Sequence, residues 1–224
     1  KFKKFIRKYI QQNFYINKAN FQAEVDVRLG IIKEIHDRLQ GSGKNAPRAW
    51  SDFEYDFSGS TFFYPIDLTN SYYAKPINFS GSTYQGWANF TGSTYQGWAN
   101  FSRSTYQGEA NFSRSTYQGE ADFRSSTYQW ANFSRSTYQG WADFGSSTYQ
   151  SWANFTGSTY QGGANFSSST YKSKANFSGS IFYRETYFDT VLYNSFSRFT
   201  GCAPQFYDET NHKNTLFGSH NNDF

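Results

Sequence analysis

His36, His212 and His220, the lone Cys202 and a scatter of acids are the residues of this chain whose types could do chemistry, and their spacing decides whether they can. His36 is remote from the other two, His212 and His220 fall in a polar tail and read as surface residues, and no Cys/His pair has metal-ligand spacing. Cys202 cannot form an intrachain disulfide and reads as an inert thiol near a chain end. Glu109, Glu120, Asp122 and Asp143 stand where other copies of the same phrase carry Trp or Asn, which is the behaviour of surface positions and not of a carboxylate pair held for acid–base work. No Ser-His-Asp set, phosphate loop or dinucleotide fingerprint occurs. The chain therefore reads as a non-enzyme, with no cofactor, metal or small-molecule substrate expected.

What recurs is a phrase, Ala88-Asn89-Phe90-Thr91-Gly92-Ser93-Thr94-Tyr95-Gln96-Gly97-Trp98, which begins again at Ala99-Asn100-Phe101. Its Phe anchors run from Phe79 to Phe177 in steps of eleven residues, except for a step of ten into Phe133. A fixed short period of this kind predicts a solenoid. A Tyr follows each Phe from Phe79 to Phe166 by five residues, Ala precedes each Phe from Phe90 to Phe177 by two, and Ser precedes Tyr by two. Alternate side chains on an extended backbone point to opposite faces, so Ala, Phe, Ser and Tyr are expected inside, with Asn89, Thr94, Asn100 and Thr105 outside. Helix is excluded over this stretch, because apolar residues fall two apart and are separated by Gly, Ser and Thr. Gly86, Gly92 and Gly97 sit where corners need permissive backbone, and the short spacer Gln129-Trp130 suggests that one corner residue can be omitted.

These residues resemble the pentapeptide-repeat family, in its branch of alternating five- and six-residue steps; the matching phrases are Ala-Asn/Asp-Phe-x-x and Ser-Thr-Tyr-x-x. The resemblance covers roughly residues 57 to 199. It implies an all-β, right-handed quadrilateral β-helix with two eleven-residue units, or 22 residues, per coil. The phase extends back through Tyr73, Leu68, Phe62 and Phe57 and forward through Phe182, Phe188, Tyr193 and Phe199, for about 6.5 coils and a rod roughly 30 Å long.

The aromatic content of 22% within a hydrophobic total of 37% means that this core is built from rings instead of aliphatic side chains. Charge divides the chain: residues 1–48 hold eleven Lys/Arg against four acids, leaving the rest of a +4 chain near −3. Phe2, Phe5, Ile6, Tyr9 and Ile10, with Lys3, Lys4, Arg7 and Lys8 around them, predict a basic amphipathic helix that caps the solenoid or docks on a partner or an anionic membrane surface. Val25 to Leu29 alternates like a strand, and Ile31, Ile32, Ile35 and Leu39 predict a short helix ending near Gly41. The organisation expected is a helical N-terminal segment with linker at 1–48, the solenoid at 49–200 and a degenerate last coil or tail at 201–224. No apolar run of eighteen residues and no signal peptide occurs, and the absence of Met implies that Lys1 is not the first translated residue. The compartment stays unassigned.

At 22 residues per coil, Trp87, Glu109, Trp130, Trp152 and Lys174 should share one corner, and Trp98, Glu120, Trp141 and Gly163 the opposite one. Exposed Trp rows mark an interaction surface unless the rings fold flat on the coil. The leading reading is a structural or protein-interaction solenoid that joins a larger assembly or associates with itself. A scaffold held at a membrane surface by the basic helix is the alternative. The resemblance also raises DNA mimicry directed at gyrase, which the near-neutral repeat does not favour, and the Thr rows raise ice or glycan binding. Nucleic-acid binding lacks a recognised motif.

Overall fold

A computed structural model describes residues 18–40 and 47–188, together with the short strands Leu192–Tyr193 and Gln205–Phe206. The predicted basic helix near Lys3 and Arg7, the linker from 41 to 46 and most of the tail lie outside the described residues.

Among the described residues one helix, α1, spans Lys18–Leu39. The strand read from Val25 to Leu29 is not formed, because the same residues complete a helical face. Arg28, Ile32, Ile35 and Leu39 are buried at spacings of three and four; Arg28 pairs with Glu24, and Lys33–Asp37 and Glu34–Arg38 pair at i,i+4 on the exposed sides. α1 lies on the first coil. Its His36 Nε2 is 2.7 Å from the Thr69 carbonyl oxygen, Gln40 bridges Ser71, and the Arg28 guanidinium sits 4.8 Å over the Phe63 ring. The end of the solenoid is thereby covered by the stretch after Lys18, whose expected strand would have left it open.

From Tyr55 to Phe188 the chain is a β-solenoid of about six turns with four parallel ladders. The first face stacks Tyr55–Asp56, Ile77–Asn78, Ala99–Asn100, Ala121–Asp122, Ala142–Asp143, Ala164–Asn165 and Thr186–Tyr187. The second stacks Thr61–Phe62, Thr83–Tyr84 and their successors; the third stacks Ile66–Asp67, Ala88–Asn89 and theirs; the fourth stacks Tyr72–Tyr73, Thr94–Tyr95 and theirs. Through Tyr193, partners are 22 residues apart except where the pairing spans Gln129-Trp130, as in Ala121↔Ala142, where they are 21 apart; the last pairing, Ile181↔Gln205, is 24 apart. The omitted residue is absorbed at one corner, where the pairing shifts between Tyr106 and Glu109 so that Glu109 opposes Trp130.

Each face contributes one column of rings or large apolar side chains to the core. Phe79 stacks on Phe101 at 5.3 Å, Phe90 on Phe112 at 4.9 Å, Tyr84 on Tyr106 at 4.5 Å and Tyr95 on Tyr117 at 4.8 Å. The two Phe columns meet edge to face, as in Phe90–Phe101 at 69°. All of these rings are buried, as the period of two predicts. The inner Ser row has its own task. Ser104 Oγ accepts from the Ser82 N–H at 3.2 Å and donates to the Phe79 carbonyl at 3.0 Å, so it enters the turn of the coil before it. The outer positions are less open than expected, since Thr94 and Asn100 are both buried.

The corners are of two kinds. After each Phe, and after Leu68, the chain makes a tight turn whose third residue has positive φ: Gly59, Asn70, Gly81 and Gly92, then Arg103, Arg114, Ser125, Arg135 and Ser146. Asn or Asp ahead of the Phe accepts the N–H two residues on, as Asn111 Oδ1 does from Ser113 at 3.1 Å. After each Tyr comes the second corner, carrying Gln-Gly-Trp or a variant. Gly86 and Gly97 there do not have positive φ; they are small because the preceding coil passes against them, with a Cβ on either due to meet Pro65 or Pro76 backbone at 2.8 Å.

Candidate interaction surface

The four corners run along the rod as four edges. The edge between the second and third faces carries Trp87, Glu109, Trp130, Trp152 and Lys174 in successive coils: Glu109 pairs with Trp130, and the Trp152 and Lys174 carbonyls accept from Ala131 and Ala153. The edge between the fourth and first faces carries Trp98, Glu120, Trp141, Gly163 and Glu185, whose carbonyls accept from Ile77, Ala99, Ala121, Ala142 and Ala164. The two rows expected from the period are therefore both present.

Their side chains divide into two groups. Trp87, Trp98, Trp130 and Trp152 stay 46%, 42%, 49% and 39% exposed, which is high for the largest apolar side chain. Trp141 is half-buried, because its ring lies over Gly163 in the next coil and reaches Tyr187 at 6.2 Å. Only that one follows the flat-ring arrangement, and it does so because position 163 has no side chain.

Four arginines lie in the middle coils. Arg103 and Arg124 occupy adjacent coils of the edge between the first and second faces; Arg114 and Arg135 occupy adjacent coils of the edge between the third and fourth. Arg124 is engaged, 3.1 Å from Asp122 Oδ2 and 4.0 Å from Asp143 Oδ2. Asp122 is almost fully buried, and that burial raises its carboxyl above the usual range despite the opposing Arg124 N–H and guanidinium; the carboxylates of Asp143 and Glu120 push the same way as burial. Asp143 also accepts from the Asn165 amide at 3.0 Å, so these acids continue the turn-capping Asn row. Arg103, Arg114 and Arg135 have no ion pair among the described residues. Arg103, Arg114 and Arg135 stand in the positive-φ slot that Gly or Asn fills in the earlier coils.

Among the described residues no group of His, Cys, Asp and Glu is placed to hold a metal ion. Lys3, Lys4, Arg7, Lys8, Cys202, His212 and His220 lie outside the described residues. No helix among the described residues is long and apolar enough to cross a membrane.

A ring-filled parallel coil with flat faces and repeated corners defines the class, a repeat β-solenoid. The family model "Pentapeptide repeats (9 copies)" matches residues 107–148, and the same register continues on both sides of that segment. The repeated body of this chain is a pentapeptide-repeat solenoid. No curated protein and no solved structure matches the chain.

Proposed function

We propose that the chain is a non-enzymatic scaffold whose Trp-bearing edges dock protein partners. The observation that carries this reading is the exposure of Trp87, Trp98, Trp130 and Trp152 along two edges of a body whose Phe and Tyr columns are packed inside. Large aromatic side chains held at fixed heights on a stiff support lose little conformational freedom when a partner covers them, which is why such residues dominate interface energetics. The outward rows are amides and hydroxyls with few carboxylates, which does not favour a DNA-like acidic surface.

The test is retention of proteins from native extract on the immobilised full chain, followed by direct titration of whichever protein is retained. The triple variant Trp87→Ser, Trp130→Ser, Trp152→Ser removes one edge and Trp98→Ser the other. Loss of a retained protein with either variant, at unchanged melting temperature, supports the scaffold. Identical retention by the wild type and both variants overturns it.

A further inference from the structure

The third face is bordered by two unlike edges that match each other coil by coil. One edge presents Trp87, Glu109, Trp130 and Trp152. The other, five residues further along each coil, presents Gly92, Arg114, Arg135 and Gly157. Within each coil the partners are thus Trp with Gly, Glu with Arg, Trp with Arg, and Trp with Gly: acid beside base, ring beside guanidinium, and ring beside a glycine that is open at Gly157 and bordered by the Asn70 side chain at Gly92. Inside one molecule they cannot meet, because the width of the face lies between them.

A two-fold rotation about an axis parallel to the rod brings them together. It turns the third face of one copy onto the third face of another and places each edge against the opposite edge. Heights along the rod are unchanged, apart from the roughly 1 Å climbed over a quarter of a coil. Glu109 then meets Arg114 of the second copy, Trp130 meets Arg135, and Trp87 and Trp152 lie over Gly92 and Gly157, each contact occurring twice. We propose that the third face is a self-association surface, on which a second copy of this chain seats in parallel about such an axis.

The other Asn/Asp face is less free to act in the same way. On the first face Arg124 is spent on Asp122 and Asp143, and Trp141 is laid down over Gly163. On the third, Arg114 and Arg135 have no ion pair among the described residues, and all three tryptophans are exposed. Both arginines also hold positive φ, at 57° each, which disfavours any residue with a Cβ. The neighbouring Gly92 and Gly157 show that glycine serves the same turn in that row, so the arginine side chain is retained against a backbone penalty.

This inference deepens the scaffold reading and rests on it only in treating these edges as open. Its test uses the purified full chain in sedimentation at low salt, with melting as a control on folding. The wild type is expected to dimerise, and more weakly as salt is added. Glu109→Arg alone, or Arg114→Glu alone, should weaken the dimer by at least about tenfold, because each sets like charges opposite one another twice. The two reversals together should restore it. On a Cys202→Ser background, Asn132→Cys near the middle of the face should give a disulfide dimer on mild oxidation. A wild type that stays monomeric, single reversals without effect, a double reversal that does not restore, or no disulfide dimer would each overturn the proposal. Should a charge reversal unfold the coil, the cysteine variant decides alone. A monomeric wild type would leave partner retention through Trp98 untouched, so the two readings fail separately.

Discussion

Gly119 and Arg103 occupy the two kinds of corner and carry opposite errors of fit. A Cβ on Gly119 would come 2.6 Å from the Gly97 carbonyl oxygen, which is backbone and cannot swing aside. Gly119→Ala is therefore expected to cost about 1–3 kcal/mol in denaturant unfolding. Arg103 holds φ at 56°, a region that glycine enters freely and that Gly81 occupies in the preceding coil. Arg103→Gly should gain about 0.5–1 kcal/mol, the relief of the backbone penalty less the extra freedom that glycine gives the unfolded chain. An unchanged or lower stability would mean that the guanidinium makes a contact worth more than the strain. The sequence marks both corners with glycine, but it does not say which glycine serves the dihedral angle and which the close approach. That depends on how near the next coil passes.

At the scale of the face, the unit is two paired residues with one ring turned inward. Phe112 is buried, stacked 4.9 Å from Phe90 and 5.2 Å from Phe133, and Phe112→Ala should cost about 3–5 kcal/mol. Asn111→Ala loses one turn hydrogen bond and should cost far less, so equal losses would contradict the packing described. The tyrosine columns predict the reverse effect. The Tyr160 hydroxyl is buried without a hydrogen-bond partner among the described residues, and the next ring in its column is Phe182 at 4.5 Å. Tyr160→Phe should leave stability unchanged or raise it by about 1 kcal/mol, since no bond is lost and a desolvated hydroxyl is removed. The period of two, the ring columns and both Trp rows were legible because a ladder repeats its inside and outside at every step. α1 was misread around Val25 to Leu29, where a short alternation outweighed the i,i+4 pairs. What the sequence hid about the surface is equally local: Trp141 differs from the other tryptophans only through Gly163, one coil away.

Over the whole rod the rings act as one body. Ten tyrosines among the described residues are nearly fully buried, and burial raises the phenol of each above its ordinary value. A raised acid pKa means that the folded chain keeps protons that the unfolded chain gives up. Stability is then intact below the unfolded phenol value near about 10 and falls as pH rises above it, by about 1.4 kcal/mol per pH unit for each such tyrosine. The solenoid should therefore collapse over a narrow alkaline interval, with phenolate absorbance appearing together with the loss of β-sheet circular dichroism. Phenolate that appears gradually while the sheet persists would show that water reaches the columns. The coil shortened at Gln129-Trp130 has a consequence of a different kind. Identical coils have translational degeneracy: a chain slipped by one whole turn would regain most of its pairings, so a nascent rod has many near-equivalent alignments. A single shortened turn lifts that degeneracy, because a slipped chain would lay its Glu109 corner, or its Trp152 corner, against backbone one residue out of step. The missing residue thus serves the rod as an index mark, giving otherwise interchangeable turns an address.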